Sequence, residues 1–411
     1  MSESSEPNYT LEPTMFSGTI EIGERSLPVT FAAESHEDCH LQITLDPVTS
    51  SAYMALAKTM GKPGRAGTEF KLTGQSDTGQ QLISDTVHVI GQRSNNDGFF
   101  IEISHRSATF STPCKMQNPA ARLWLRGFKS SRNRSVESRL GTVSVHGEAK
   151  GVDKDSVSGC IEIIAKTNAV DPNWYEDADQ MLTFMMRGLG FAHGGRLQTP
   201  RLDQAIEGKS VTTFYSGSGF RRSLPSIHSL MQDDFIAALV HRYEDEKEFP
   251  DALWTAVGWL HAETSIKEVQ FLTMMTALET IVENLLPPSK TTIIPKPDFI
   301  PISKQLSKVI DDASLEDEPG TIFKSKVSGL NVRSISHKIL AMQAHYGLSS
   351  DLLNKDIIRG LTKTRNAITH RGAIDQETDL WQQILIARDV IAAVIFSELD
   401  YEGRYESYSQ S

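Results

Sequence analysis

The sequence predicts an α+β protein, with a β-rich N-terminal sandwich or barrel-like domain followed by an all-α helical bundle. Three observations predict it. Short runs of alternating apolar and polar residues recur up to about residue 168. The alternation gives way to helical spacing from Asp171. Beyond Pro225 nearly every segment carries apolar residues at three- and four-residue intervals. The expected organisation is a β-rich part over 1–168, a mixed connector over 169–225 and a helical part over 226–411.

The β part rests on Thr19–Ile22, His40–Leu45, Thr86–Ile90, Phe99–Ile103, Thr142–His146 and Cys160–Ile164. Asn95-Asn96-Asp97-Gly98 supplies a tight turn, because Asp-Gly tolerates the positive φ that a hairpin needs. In the connector, Glu176–Arg187 reads as a helix and Val211–Tyr215 as a strand, with loop glycines elsewhere between Gly188 and Leu224. The helical part is expected to contain Ser226–Glu248, a helix from Pro250 to His261, and Ile266–Leu286. A Pro-rich loop to Pro301 follows, then helices at 302–312, 334–346, 351–370 and 377–399. The last is apolar on most sides, as expected of a bundle centre or a subunit interface. Trp254 and Trp259 read as core residues, and the polar tail from Tyr401 reads as frayed.

A net charge of −11 argues against nucleic-acid binding over the whole surface. No apolar run approaches the roughly 20 residues of a membrane span, and the acidic, polar start is unlike a signal peptide, so a cytoplasmic protein without membrane association is expected. The three cysteines, Cys39, Cys114 and Cys160, read as separate thiols; a metal site joining them to His36 lacks zinc-like spacing, so no metal and no cofactor is expected. One stretch is locally basic: between Arg106 and Arg139 eight basic residues face a single acid, Glu137. Within it Arg122, Arg126, Lys129, Arg132 and Arg134 are interleaved with Trp124 and Phe128, a composition suited to single-stranded nucleic acid. The plainer reading is a solvated loop whose aromatics belong to the core.

The chemistry-bearing motif is Arg365-Asn366-Ala367-Ile368-Thr369-His370. Arg and His at this spacing mean little, since about 0.6 such pairs arise by chance in this composition. Requiring Asn after Arg lowers the expectation to about 0.02. Helical spacing places Arg365 with Ile357, Leu361 and Ile368 on the apolar seam, where a guanidinium needs a carboxylate, a cavity or a ligand. Glu279, spaced with Leu272, Met275, Val282 and Leu286 on another helix, is the candidate partner. Asn366 and His370 share a neighbouring face, and Gly372 is placed to end the helix, with carbonyls of the last turn favouring an imidazolium. Read without further context, the pair is either a functional site or a bridge that fastens two helices.

This ensemble resembles a HEPN domain, a helical bundle whose late helix carries Arg-polar-x-x-x-His. Phe271–Glu279 is similar to the early helix of the ApeA-like HEPN group, which also places a β-rich domain first. The resemblance covers residues 226 to 400. It implies a metal-independent endoribonuclease of prokaryotic anti-phage defence, acting as a homodimer on RNA, with a phage-derived trigger. It assigns His370 as general acid/base, Arg365 as stabiliser of phosphoryl charge and Asn366 as the residue that orients the phosphate or His370, while Glu279 supports the site as the candidate partner of Arg365. Lys363 and Arg371, which flank the motif, are candidate RNA contacts. The competing function is a non-catalytic module that binds RNA or nucleotide.

Overall fold

In the computed structural model the chain divides into two compact units, Met1–Asp245 and Glu246–Ser411. The structure describes residues 11–36, 38–46, 50–60, 67–95, 98–114, 118–130, 133–148, 156–206, 208–217, 224–374 and 378–409. The unit boundary falls after Asp245 rather than at residue 225, so the segment from 226 to 245 belongs with the β-rich unit.

The first unit is built on an antiparallel barrel of six strands. These are β1 (Leu11–Ile22), β2 (Arg25–Ser35), β3 (Leu41–Asp46), β4 (Phe70–Gln75), β5 (Gln81–Asn95) and β6 (Gly98–His105). The order β4-β1-β2-β3-β6-β5 closes through pairing of β5 with β4. Closure leaves no unpaired edge in the ring. Alternation explains the interior: Val29, Phe31 and Ala33 of β2 and Leu41, Ile43 and Leu45 of β3 all point inward. Phe16 stacks on Phe31 at 5.1 Å, and Gly74 is required beside them, since a Cβ there would lie 2.5 Å from the Phe31 ring. The β5–β6 hairpin pairs Asn95 with Gly98 as the Asp-Gly signal predicts, although Asn96 and Asp97 lie outside the described residues. A short helix, α1 (Ser50–Ala57), packs on β5 and β6.

The same sheet continues past the barrel through β7 (Ser107–Pro113), β8 (Ala120–Arg126), β9 (Arg134–Ser138), β10 (Gly141–Gly147), β11 (Val157–Ile164), β12 (Gln198–Ile206) and β13 (Lys209–Tyr215). Spatially the run is β5-β7-β13-β12-β8-β11-β10-β9. The expected connector is therefore no connector. Its β12–β13 hairpin lies inside the sheet between β7 and β8. The expected helix runs on as α2 (Trp174–His193), through Gly188 and Gly190. These glycines serve packing rather than loops: a Cβ at Gly188 would come within 2.4 Å of Leu239. Leu239 belongs to α3 (Gln232–Glu244), which starts after a 3₁₀ turn at Ser229–Met231 and is shorter than the Ser226–Glu248 helix expected. Helix α2 lies against β8 and β11, with Met181, Leu182 and Met185 buried and Trp174 Nε1 donating to the Leu140 carbonyl at 2.8 Å.

The second unit is all helical. Its elements are α4 (Asp251–Leu260), α5 (Lys267–Asn284), α6 (Pro288–Thr291), α7 (Lys296–Asp312), α8 (Asp317–Gly329), α9 (Ile335–Tyr346), α10 (Lys355–Arg371) and α11 (Leu380–Glu398). Helix α5 is central, packing on α4, α9, α10 and α11 and burying Phe271, Met274, Met275, Leu278, Ile281 and Val282. The expected Pro-rich loop is instead α6 and the first turns of α7. Pro297 occupies an N-terminal position where a missing N–H costs nothing, and Pro301 is carried inside the helix. Trp254 is half-buried against Phe249, whereas Trp259 is exposed rather than in the core.

Helix α11 is long and apolar enough to span a bilayer by composition, yet 72% of its apolar window is buried inside the structure. It also carries a buried ion pair: Arg388 Nη1 donates to Asp389 Oδ1 at 2.9 Å, with the residues 5% and 1% exposed. The tail after Tyr401 is fastened rather than frayed. Asp389 Oδ2 accepts from the Ser407 hydroxyl at 2.9 Å and from the Tyr408 and Ser409 N–H groups at 2.8 Å each. Tyr405 stacks on Phe396 at 4.8 Å, and the Tyr408 ring lies 4.6 Å from the Arg388 guanidinium carbon. Aromatic stacking and three donors to one carboxylate outweigh the polar composition on which the frayed expectation rested.

Candidate functional site

Helix α10 begins where the Asn354 side chain accepts from the N–H groups of Asp356 and Ile357, rather than at Asp351. It ends at Gly372, whose φ of +68° suits a residue without Cβ and whose N–H returns to the Ile368 carbonyl. The cap holds His370 and Arg371 in the last turn. The buried stripe is Ile358, Leu361, Thr362, Ala367 and Ile368, so Ile357 and Arg365 sit at its margin. Arg365 is not the core guanidinium that sequence spacing suggests.

The expected partner of Arg365 is in place. Its Nε donates to Glu279 Oε1 at 3.2 Å, joining α10 to α5. The two side chains are 31% and 32% exposed. Its Nη1 lies 3.4 Å from Asn366 Oδ1, a long contact between neighbours. The Thr369 hydroxyl donates to the Arg365 carbonyl at 2.8 Å and so turns back on the helix. Asn366 and His370 are exposed. No hydrogen bond holds the His370 ring among the described residues. Lys363 and Arg371 are also exposed and extend the cationic end of the helix. Together these groups offer an oriented guanidinium, an amide and an accessible imidazole on one helix end. That set can bind an anion and move a proton.

The exposure of the bridge bears on its purpose. An ion pair open to solvent contributes about 0–1 kcal/mol, because water screens it and two long side chains must be ordered. Glu279→Gln is therefore expected to shift the urea midpoint by no more than about 1 kcal/mol of stability. A loss several times larger would show that the bridge is structural.

The basic stretch is a different matter. Arg122 lies on β8, where its Nε donates to Glu162 Oε1 at 2.8 Å, and its guanidinium carbon is 5.2 Å from the Trp124 ring centre. Arg126 Nε donates to the Asp38 carbonyl at 2.9 Å. Trp124 and Phe128 are buried, so neither is a platform for stacking bases. Trp124 Nε1 donates to Asp203 Oδ2 at 2.7 Å, and Asp203 Oδ1 also accepts from Arg201 and Thr212. Of this stretch, Arg122 is thus met by a carboxylate of β11 and Arg126 by a backbone carbonyl, partners that no local window contains. Lys129 is half-buried, Arg134 is exposed on the edge strand β9, and Arg132 lies outside the described residues, as does Lys115.

The cysteines are dispersed thiols. Burial pushes Cys39 up to about 11 and Cys160 up to about 12, which keeps both protonated and unreactive at neutral pH.

Two features escaped the sequence reading. One is the Arg388–Asp389 pair, visible as two adjacent charges inside an otherwise apolar helix. The other is His105, which continues the inward alternation of Ile101 and Ile103 on β6 and is 4% exposed. Burial, followed by the nearby His40 and His88, lowers His105 to about 4. The unfolded chain takes up this proton near pH 6.5, so below that pH the unfolded state binds more protons and is favoured. Stability is expected to fall between about pH 6.5 and 4, by about 3 kcal/mol for this group, and then to level off. Urea unfolding of the wild type and His105→Leu at pH 7 and 4.5 checks this, since the variant should lose markedly less stability.

No family model, no curated protein and no solved structure matches the chain.

Proposed function

We propose that the chain is a metal-independent endoribonuclease of the HEPN type acting in anti-phage defence. The observation that carries this reading is an Arg-Asn-x-x-x-His set at a capped helix end, with Arg365 steadied by Glu279 and with Asn366 and His370 open to solvent.

In the proposed reaction His370 accepts the proton of a ribose 2′-OH. The 2′-oxygen attacks the adjacent phosphorus, and the P–O5′ bond breaks as the leaving oxygen takes up a proton. The products are a 2′,3′-cyclic phosphate and a 5′-OH. Arg365 offsets the charge that builds on the phosphoryl oxygens, and Asn366 orients the phosphate or the imidazole. The proton acceptor and the charge stabiliser are both side chains, so chelators leave the rate unchanged. In a homodimer two such helix ends share one cleft, and a phage-derived component releases the activity. Lys363 and Arg371 guide the RNA backbone to the site.

Incubating the full chain with single-stranded RNA in excess EDTA, with analysis of the product ends, tests the reading. Fragments ending in 2′,3′-cyclic phosphate support it. Cleavage abolished by EDTA overturns the metal-free mechanism. RNA retained but uncut by a dimeric, trigger-exposed protein favours the alternative, a non-catalytic RNA-binding module.

A further inference from the structure

Helices α7 and α8 form a hairpin that contributes almost nothing to the core of the helical unit. Its root is closed where the Ile293 N–H donates to the Asn331 carbonyl at 2.9 Å. The Asn331 side chain also bonds the N–H and the carbonyl of Ile294, at 2.9 Å each. Residues 313–316 turn the chain between the helices. Helix α7 packs chiefly on α8. No residue of α7 is buried, and among the described residues of α8 only Val327 is. Helices of about 12–15 residues are marginal alone in water and take their stability from an apolar face packed on something. Here much of that face is bare.

On α7, Ile302, Leu306 and Val309 recur at helical spacing and are 44%, 36% and 65% exposed. Ile322 and Phe323 of α8, and Leu330 just after it, are 47%, 52% and 54% exposed. Asp311 lies on the face of α7 opposite the first three and pairs with Lys324 of α8. Phe323 and Leu330 are turned about 100–120° around the helix from Lys324, given 3.6 residues per turn. Both stripes thus turn away from the ion pair, toward one face of the hairpin. Bare apolar residues grouped in this way mark a contact surface.

Charge identifies the occupant. The turn is acidic: Asp311, Asp312, Glu316, Asp317 and Glu318 fall together with no basic residue among them. The lysines lie toward the root, Lys304 and Lys308 on α7 and Lys324 and Lys326 on α8. Along α8, Glu318, Ile322 and Lys326 are four apart and form one exposed row. That row is complementary to its own reverse. Laid antiparallel on a copy, each Glu318 meets a Lys326, and the two Ile322 side chains meet at the centre. A parallel pairing would set carboxylate on carboxylate, and the acids of the turn disfavour an anionic lipid surface. We propose that the α7–α8 hairpin docks a second copy of this chain, the two hairpins packing face to face and head to tail. Such an interface is isologous, so the Glu318–Lys326 contact forms twice and the assembly closes as a dimer. The apolar stripes lie at its centre, with charge at the rim. The inference stands apart from the nuclease reading: association is measured without RNA, and a dimer formed elsewhere on the chain leaves that reading intact.

Sedimentation equilibrium of the full chain tests it. The wild type is expected to be a dimer at concentrations on the order of micromolar. Leu306→Asp combined with Phe323→Asp should weaken association by about tenfold or more. Helix content by circular dichroism should be unchanged, because both residues are exposed. If that variant unfolds, the charge variants decide. Lys326→Glu and Glu318→Lys should each weaken association by about tenfold, since like charges then face each other twice. Mixed in equal amounts, the two charge variants should associate with each other at near wild-type affinity, because opposite charges meet again at both contacts. A monomeric wild type overturns the proposal, as does wild-type affinity in the charge variants or a mixture that fails to recover. Flotation of a monomeric wild type with phosphatidylcholine–phosphatidylglycerol vesicles would assign the face to lipid instead.

Discussion

Replacing His370 by alanine is expected to lower RNA cleavage by about 10²–10⁴-fold, the usual contribution of a positioned acid/base group. The fold should be untouched, because His370 is exposed and its ring takes part in no hydrogen bond among the described residues. Only a modest change in helix stability is expected, since an exposed side chain is lost from the last turn of α10. Arg365→Ala should lower cleavage by about 10²–10³-fold, the scale for removing one stabiliser of developing charge. Initial rates with a defined RNA, together with urea midpoints, check both. His370→Ala that cleaves at the wild-type rate would remove the imidazole from the mechanism. Equal loss of activity and of folding in both variants would return the motif to a fastening role.

The largest effect on stability is expected at Asp389. Asp389→Ala takes the carboxylate from Arg388, from the Ser407 hydroxyl and from two tail amides. A buried guanidinium deprived of its carboxylate costs about 3–5 kcal/mol. Burial already lowers the affinity of Arg388 for its proton, with Asp389 as the first influence opposing that. Replacing both residues by apolar ones, as in Arg388→Met with Asp389→Leu, should recover much of the loss, because an apolar pair needs no partners. Urea unfolding gives the energies, and amide hydrogen exchange at Tyr408 and Ser409 reports release of the tail. A midpoint for Asp389→Ala within error of the wild type would contradict this account.

These residues also show where sequence reading succeeds. The two-residue period of Leu41, Ile43 and Leu45 and the helical period of Phe271 to Val282 are local, and both elements were legible. Arg365 and Glu279 were matched because each needed a partner of the other's charge, although both lie nearer the surface than their spacing implied. Strand β2 was missed because Pro28 interrupts its pattern, yet the structure pairs Pro28 with Thr19 inside the barrel. Gly188 and Gly190 read as loop because their use, close approach of neighbouring segments, is tertiary. In the basic stretch the plainer reading, with Trp124 and Phe128 in the core, holds, while the pairing of Arg122 with Glu162, 40 residues away, was beyond any local window.

The β12–β13 hairpin has a consequence for the order of folding. It stands between β7 and β8, so among the described residues the barrel and the outer strands share a sheet through it. Its ties are long in sequence: Thr109 and Thr213, joined by a hydroxyl contact, are 104 residues apart. Loop closure of that length must precede the contacts that reward it, so the β-rich unit is expected to acquire its structure in milliseconds to seconds. The helical unit also has ties distant in sequence, since α5 packs on α10 and α11. Until the hairpin arrives, β7 and β8 present open edges to any strand in solution, which makes this interval the one in which the chain is most exposed to aggregation.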